Sequence, residues 1–326
     1  MATKSRGSSS ERKVTSFTLG AETASYLEKE AERLGIPKSR LVDQIVNSQR
    51  SPEENDPKPT IISVMSYKGG VAKTTTSTCL AMCLAEEGHR VLIIDMDGQG
   101  NASQYMGVYD PRSEEACIAD VLYSSSSKGE RLSLDDVMKE TDYENVFVVP
   151  SNFRFADADA RMKAEGAGAD TRLRYAIEDM EQVFDYIIID CGPRLDMTTT
   201  NAIVALEAGN SNSHLILPVR VDGFAIAGVS QTVAMINRTA ADRRTQPQPW
   251  RILQTMVEPR TSAYKAGVEE LKAAVPNARY FTTKISKSTV VPESSLVMMP
   301  LVTYDPTSKP TLEYRMLAGE IEALNG

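Results

Sequence analysis

The sequence predicts an α/β fold in which a mostly parallel β-sheet is flanked by helices, with a small separate unit ahead of it. Three observations predict it. From residue 60 the chain alternates between short β-branched runs and helical patterns, the mark of strand–helix–strand units with right-handed crossovers. Several runs, such as Ile187-Ile188-Ile189, are apolar at every position, which suits strands covered on both faces. Before residue 60, Pro52, Pro57 and Pro59 stand among charges in a stretch that reads as a linker.

In chain order, residues 1–11 (MATKSRGSSSE) are a polar tail expected to be disordered. Residues 12–48 show one short strand pattern and two helical ones. The strand is expected at Lys13–Leu19, with Gly20 breaking it. A first helix carries Leu27, Ala31 and Leu34 inward, and Gly35-Ile36-Pro37 turns the chain with proline at a helix start. A second helix buries Leu41, Ile45 and Val46. Residues 49–59 are the linker. In the body, 60–326, strands are expected at Ile61–Met65, Val91–Ile94, Val146–Val149, Tyr186–Ile189, His214–Leu217 and Ile252–Met256. Helices are expected at Thr74–Glu87, Thr171–Met180, Thr199–Ala208, Ile226–Asn237, Ala263–Ala274 and Thr311–Leu324. Ligands of such sheets sit at the carboxyl ends of the strands, and the polar motifs fall there.

Composition excludes several classes. With 41% apolar and 25% charged residues the chain reads as a soluble globular protein. No apolar run reaches the roughly 18 residues of a membrane span. Met1 to Lys13 lacks the apolar stretch of a signal peptide, so a cytoplasmic location is expected. Cys79, Cys83, Cys117 and Cys191 form no Cys-x-x-Cys pair, and His89 and His214 are the only histidines, which argues against a zinc site and a disulfide framework. Net charge is −8, unevenly spread. Residues 1–50 hold nine basic against six acidic side chains, and the rest hold 27 against 38. A basic N-terminal unit on an acidic body hints at a polyanion partner.

The most informative segment is Ser66-Tyr67-Lys68-Gly69-Gly70-Val71-Ala72-Lys73-Thr74-Thr75, between the first body strand and its helix. Small residues there let backbone N–H groups wrap a β-phosphate, and the helix N-terminus adds a favourable dipole. Lys73 is placed to reach the β- and γ-phosphates, and the Thr74 hydroxyl to ligate Mg²⁺, so ATP with magnesium is the expected ligand. Two acidic strand ends accompany it. Val91–Ile94 runs into Asp95-Met96-Asp97-Gly98-Gln99-Gly100-Asn101-Ala102, and Tyr186–Ile189 runs into Asp190-Cys191-Gly192-Pro193, a Walker-B pattern whose Asp190 would hold the magnesium through a water. Asp95 lies at its strand end, near the metal and Thr74.

These segments resemble the deviant Walker A, ParA/MinD group of dimerising P-loop ATPases. The Lys68–Thr75 loop is similar to that family's K-G-G-x-G-K-[ST]-T, with Ala72 in place of glycine. Alanine there restricts a positive-φ backbone, and nucleotide binding is expected to survive it. The resemblance implies that Lys68 crosses a homodimer interface to the partner's nucleotide, a cation in trans like an arginine finger. Asp95–Ala102 resembles the family's D-x-D-P-Q-G-N-[AS], with Gly98 replacing proline, and by that match Asp97 positions the attacking water. Asp190–Pro193 resembles D-C-P-P, with Gly192 departing from it. Thr255 and Met256 resemble the strand where the family holds the nucleotide base. The resemblance spans roughly residues 60–324.

Residues 12–48 resemble the ribbon-helix-helix repressors, in which paired strands enter the DNA major groove. Alternation puts Val14, Ser16 and Thr18 on one face, which by that pattern meets base edges; Lys38-Ser39 matches a phosphate clamp. The combined resemblance implies a DNA-partition ATPase, nucleoid-associated, that dimerises on ATP. It binds nonspecific DNA, is released on hydrolysis stimulated by a centromere-bound partner of ParB type, and represses its own operon through the N-terminal unit. Arg243, Arg244, Lys284 and Lys287 are candidate phosphate contacts from local charge. Three rivals stay open: a positioning ATPase for a protein cargo, a MinD-like membrane ATPase, and an ATP-dependent amidoligase of related fold. The terminal segment Thr311–Glu322 has three glutamates against one arginine, too acidic for a membrane-binding helix, so no membrane partner is expected.

Overall fold

The computed structural model describes residues 20–34, 38, 41–42, 58–108, 110, 112–123, 131–166, 168–221 and 223–325. The chain divides into two compact units, Met1–Glu54 and Asn55–Gly326. In the first, helix α1 (Ala21–Leu34) buries Leu27 and Ala31 with Leu41. Exposed Lys38 pairs with Glu28. The expected strand at 13–19, with Val14, Ser16 and Thr18, lies outside the described residues, as do Ser39, Ile45, Val46 and the Leu34 side chain.

The second unit is built on a sheet of strands β1 (Thr60–Val64), β2 (Val91–Met96), β3 (Lys139–Glu140), β4 (Val146–Val149), β5 (Tyr186–Cys191), β6 (His214–Arg220), β7 (Trp250–Thr255) and β8 (Arg279–Tyr280). Their spatial order is β3-β4-β2-β5-β1-β6-β7-β8. All neighbours are parallel except β3 against β4. The six expected strands are present, and the two additional ones are two-residue edge pieces. Helices of seven or more residues cover the sheet: α2 (Lys73–Glu86), α3 (Ala158–Glu165), α4 (Arg172–Glu178), α5 (Met197–Val204), α6 (Gly223–Arg243), α7 (Ser262–Ala274), α8 (Val290–Leu296) and α9 (Lys309–Asn325).

Strand pleating explains the fully apolar runs. On β5, Ile187 and Ile189 join a core with α3, α4 and α5, while Tyr186 and Ile188 join a second core on the opposite face with α2 and α9. Helix α2 is buried nearly all round from Thr76 to Ala85, as expected of a helix walled in by sheet and α9. Its two cysteines serve as small apolar packing groups; burial pushes both thiols well up, Cys83 to about 12. All four cysteines are buried and free.

Chain order reverses at β1. The chain leaves β1 for β2 on one side, places β5 between them, and then puts β6 on the other side of β1. That reversal opens a crevice at the carboxyl ends of β1, β2 and β5, the usual ligand position in such sheets.

Candidate nucleotide and metal site

The loop Met65–Ala72 leaves β1 at this crevice and feeds α2. Gly70 has φ 70° and Ala72 has φ 66°, so both sit in the left-handed region. For Gly70 this costs little; for Ala72 the Cβ crowds the following carbonyl, at about 1–2 kcal/mol. The alanine therefore holds, under strain, a conformation that glycine adopts freely. Ala72→Gly is expected to raise the melting temperature by about 2 °C, since relief of strain exceeds glycine's extra chain entropy. A thermal melt showing a decrease would overturn this account.

Surrounding elements brace the loop. Tyr67 N–H donates to the Thr232 hydroxyl on α6 (3.2 Å), and Gly228 of the same helix lies against Lys68, its Cβ position 3.4 Å from the lysine Cβ. Thr255 is fully buried behind the loop, where its hydroxyl donates to Val71 O (3.1 Å). Of the two expected base-contact residues, Thr255 thus supports the loop from within, and only Met256 reaches the surface, at φ 52°.

Lys73, at the first turn of α2, is buried, and its ammonium donates to Lys68 O (3.0 Å). Burial draws its proton affinity below the usual lysine value, opposed by the charges of Asp190 and Asp97. The Lys68 side chain is half-buried on the same loop.

Asp95 and Asp190 end β2 and β5 as register partners, both fully buried. The Thr74 hydroxyl donates to Asp190 Oδ2 (2.8 Å) and the Ser77 hydroxyl to Oδ1 (2.7 Å). Asp95 accepts from Asp97 N (3.0 Å), Ser103 N (2.9 Å) and Ser103 Oγ (2.7 Å). Burial raises both acids, to about 7 for Asp95 and about 6 for Asp190, and the neighbouring Asp190 charge lifts Asp95 further. Ser77 and Ser103 were not singled out from sequence. Ser77 lies one turn beyond Lys73 on α2, so helical spacing alone puts it beside the same strand end.

This donor set fits magnesium. It offers hard oxygens from a hydroxyl and two buried carboxylates with one nearby cation, Lys73 beside Asp190, a setting in which a divalent cation is stabilising. Among the described residues no cluster of three or more His, Cys, Asp or Glu forms a closed metal cage. Mg²⁺ seldom needs one, because phosphates and water complete its octahedron. Thr74, Asp190 and Asp95 would hold the ion, which would supply charge neutralisation to a bound phosphate.

Folding raises both acids' affinity for protons, so the metal-free folded state binds more protons than the unfolded one between about pH 4 and pH 7. Stability therefore falls as pH rises through that window. Thermal melts without metal should drop by roughly a few degrees between pH 5.5 and 7.5, and magnesium nucleotide should flatten the slope. A melting temperature that climbs with pH in the metal-free protein would contradict the assignment.

Asp97 follows β2 and is half-buried. Its Oδ1 accepts from Gln99 N (3.1 Å). Both departures from the family pattern border it. A Cβ at Gly98 would lie 3.1 Å from Ala156 N and 3.3 Å from its Cα, so backbone of the neighbouring turn occupies a side chain's space. A Cβ at Gly192 would lie 3.4 Å from Asp97 Cγ, so the chain after β5 runs beside that carboxylate.

The basic candidates behave differently from one another. Arg243 is largely buried and donates to Asp170 (2.6 Å) and Glu207 (3.0 Å), the latter shared with Arg174 (2.5 Å). This corrects the expectation of a displayed phosphate contact: the guanidinium is committed to internal carboxylates, whose removal would strand them. Arg244 and Lys284 are exposed, and Lys287 forms an exposed pair with Glu258 (3.0 Å) that phosphate could replace at little cost.

Comparison with known proteins agrees with this geometry. Residues 59–247 match the family model described as AAA domain (AAA_31). The sporulation initiation inhibitor protein Soj of Bacillus subtilis is 33% identical over 269 residues, covering 81% of this chain and 98% of Soj. The chromosome partitioning protein ParA of Myxococcus xanthus is 28% identical, covering 80% of this chain and 87% of its own. Among solved structures, cobyrinic acid a,c-diamide synthase of Mycobacterium smegmatis with bound ADP and magnesium superimposes with TM-score 0.65 at 25% identity, over 80% of this chain and 93% of that one. Nucleotide and magnesium in a relative of this fold match the donor set described above.

Proposed function

Because the chain belongs to the AAA-domain family, as a P-loop ATPase of the ParA/MinD type, we propose that it is a DNA-partition ATPase whose ATP-bound homodimer holds DNA and releases it on hydrolysis. The observation that carries this reading is the convergence of Lys73, Thr74, Asp95 and Asp190 at one crevice, with Lys68 on the same loop. Lys73 binds the β- and γ-phosphates; Thr74, Asp95 and Asp190 serve the metal; Gly69, Gly70, Val71, Ala72 and Thr75 wrap the phosphates; Lys68 acts across the dimer. Asp97 positions water. Arg244, Lys284 and Lys287 contact DNA phosphates, a centromere-bound ParB-type protein stimulates hydrolysis, and the N-terminal unit reads an operator through its strand and Lys38-Ser39.

Likeness to the chromosome partitioning protein ParA of Myxococcus xanthus, 28% identical over 87% of its length, favours partition over the amide-forming chemistry of the diamide synthase, which is 25% identical. Among the described residues no helix is long and apolar enough to cross a membrane.

The test is DNA binding by fluorescence anisotropy, with and without ATP, for the full chain and for a chain lacking residues 1–48. ATP should induce binding to any duplex. Affinity should fall by orders of magnitude between about 50 and 200 mM salt, as counterion release requires. The truncated chain should keep ATPase activity and lose preference for its own upstream DNA. An active ATPase that never holds DNA would move the assignment to the protein-cargo reading.

A further inference from the structure

The loop after β5 carries Arg194, a residue no catalytic role yet accounts for. Asp97, Gly98, Gln99, Ala156, Gly192 and Arg194 line one cleft beside the carboxyl ends of β2 and β5. Three contacts trace the wall. Gly192 runs against the Asp97 carboxylate, Gly98 abuts the Ala156 backbone, and Arg194 Nη1 donates to Ala156 O (3.2 Å). Pro193 fixes the backbone immediately before the arginine.

The charge pattern of the cleft is unusual. Asp97, Asp159 and Asp196 all line it with Arg194; the guanidinium's charge acts on Asp159, but it donates a hydrogen bond to none of the three. Asp159 accepts from Lys163 Nζ (2.7 Å) and Met197 N (2.8 Å). Asp196 caps α5 through Thr198 N (3.0 Å) and Thr198 Oγ1 (2.6 Å). Arg194 is exposed; its backbone carbonyl accepts from Thr199 Oγ1 (2.5 Å), and among the described residues its guanidinium makes one hydrogen bond, to Ala156 O. Guanidinium offers five donors in a planar fork, so four remain for a ligand. A phosphoryl group approaching three carboxylates is repelled unless a cation stands with it, and the fork suits its oxygens.

We propose that Arg194 is a cis-acting catalytic cation that donates to the γ-phosphoryl oxygens during hydrolysis, complementing Lys68 supplied by the partner. This rests on the ATPase reading above. In that reaction the water oxygen bonds to the γ-phosphorus as the bridging bond to the β-phosphate breaks, its electron pair leaving on ADP. The water's proton passes by way of Asp97 to the released phosphate. Arg194 contributes no atom; its hydrogen bonds strengthen as charge shifts onto the transferring group. The side chain stands on the loop directly after the Walker-B strand, so nucleotide binding by the P-loop does not depend on it.

The test compares Arg194→Ala and Arg194→Lys with the wild-type chain, in full length. Three quantities are read: single-turnover hydrolysis of ATP, affinity for a fluorescent ATP analogue, and capture of ADP with aluminium fluoride. Arg194→Ala should slow hydrolysis roughly 10- to 1,000-fold with ATP affinity changed less than about threefold. It should lose aluminium fluoride capture, and Arg194→Lys should recover part of both, because charge returns without the fork. Hydrolysis within twofold of wild type, or a parallel loss of ATP affinity, overturns the role. A wild-type chain that binds ATP and never hydrolyses it overturns the enzyme reading itself, and this role with it; melting curves of the variants separate either result from misfolding.

Discussion

Replacing Lys73 with alanine is expected to weaken ATP binding at least about 30-fold while leaving the nucleotide-free fold intact. The ammonium is buried and donates to Lys68 O, and burial already works against its charge. Its interaction with the protein alone is therefore modest, and its removal should change the nucleotide-free melting temperature by less than about 2 °C. With nucleotide the sign reverses, because a desolvated cation meets several phosphate oxygens. Truncating one partner of such a pair costs about 2–5 kcal/mol, or roughly 30-fold to several thousandfold in affinity. Calorimetric titration with ATP and magnesium reads this directly. Tight binding retained by the variant would sink the P-loop assignment, and a large drop in nucleotide-free stability would recast Lys73 as a structural residue.

The fold was legible wherever burial on two faces forced an unbroken apolar run. Tyr186–Ile189 and Val91–Ile94 announce themselves because each successive side chain enters a different core. The edge strands Lys139–Glu140 and Arg279–Tyr280 carry no such signal; two residues have no periodicity, and pairing with β4 and β7 alone makes them strands. Helix α8, with Val290, Val291 and Pro292 in its first turn, has poor intrinsic propensity and went unexpected. Helix α3 was also unexpected, and α6 extends beyond the expected Ile226–Asn237 at both ends.

In the candidate site, residue type and spacing mark Lys73 and Thr74 at a helix start and Asp95 and Asp190 at strand ends, the groups that phosphate and metal chemistry uses. Helical spacing places Ser77 near Asp190, but only the fold shows that Ser77 and Thr74 take one oxygen each of that carboxylate and that Ser103 takes Asp95. Nor could local charge reveal the fate of Arg243. Asp170 and Glu207 lie 73 and 36 residues away in sequence and come together only through packing. A basic pair at a helix end thus described composition, and only the fold distinguished the committed arginine from the displayed one. The glycines at 98 and 192 make the same point. Read as departures from a motif they had no reason; in the structure one admits the Ala156 backbone and the other leaves the chain beside Asp97.

Asp97→Ala should separate binding from turnover. The Asp97 side chain touches neither carboxylate of the proposed metal pair: Asp95 accepts from the Asp97 backbone N–H, which alanine keeps, and Asp190 is held by Thr74 and Ser77. What alanine removes is a half-exposed carboxylate whose main internal bond is to Gln99 N. ATP affinity should therefore change little. Loss of a group that orients water and relays its proton lowers rates by roughly 100- to 10,000-fold. With binding intact and hydrolysis stalled, the ATP-bound homodimer should accumulate, visible as a persistent mass increase by light scattering when ATP and magnesium are added. Asp97→Asn is the sharper variant. It preserves the acceptor for Gln99 N and the local loop while removing proton affinity, so it should stall as completely as alanine. If the asparagine variant instead turns over rapidly, Asp97 serves only to shape the loop, and water activation belongs to another group lining the cleft.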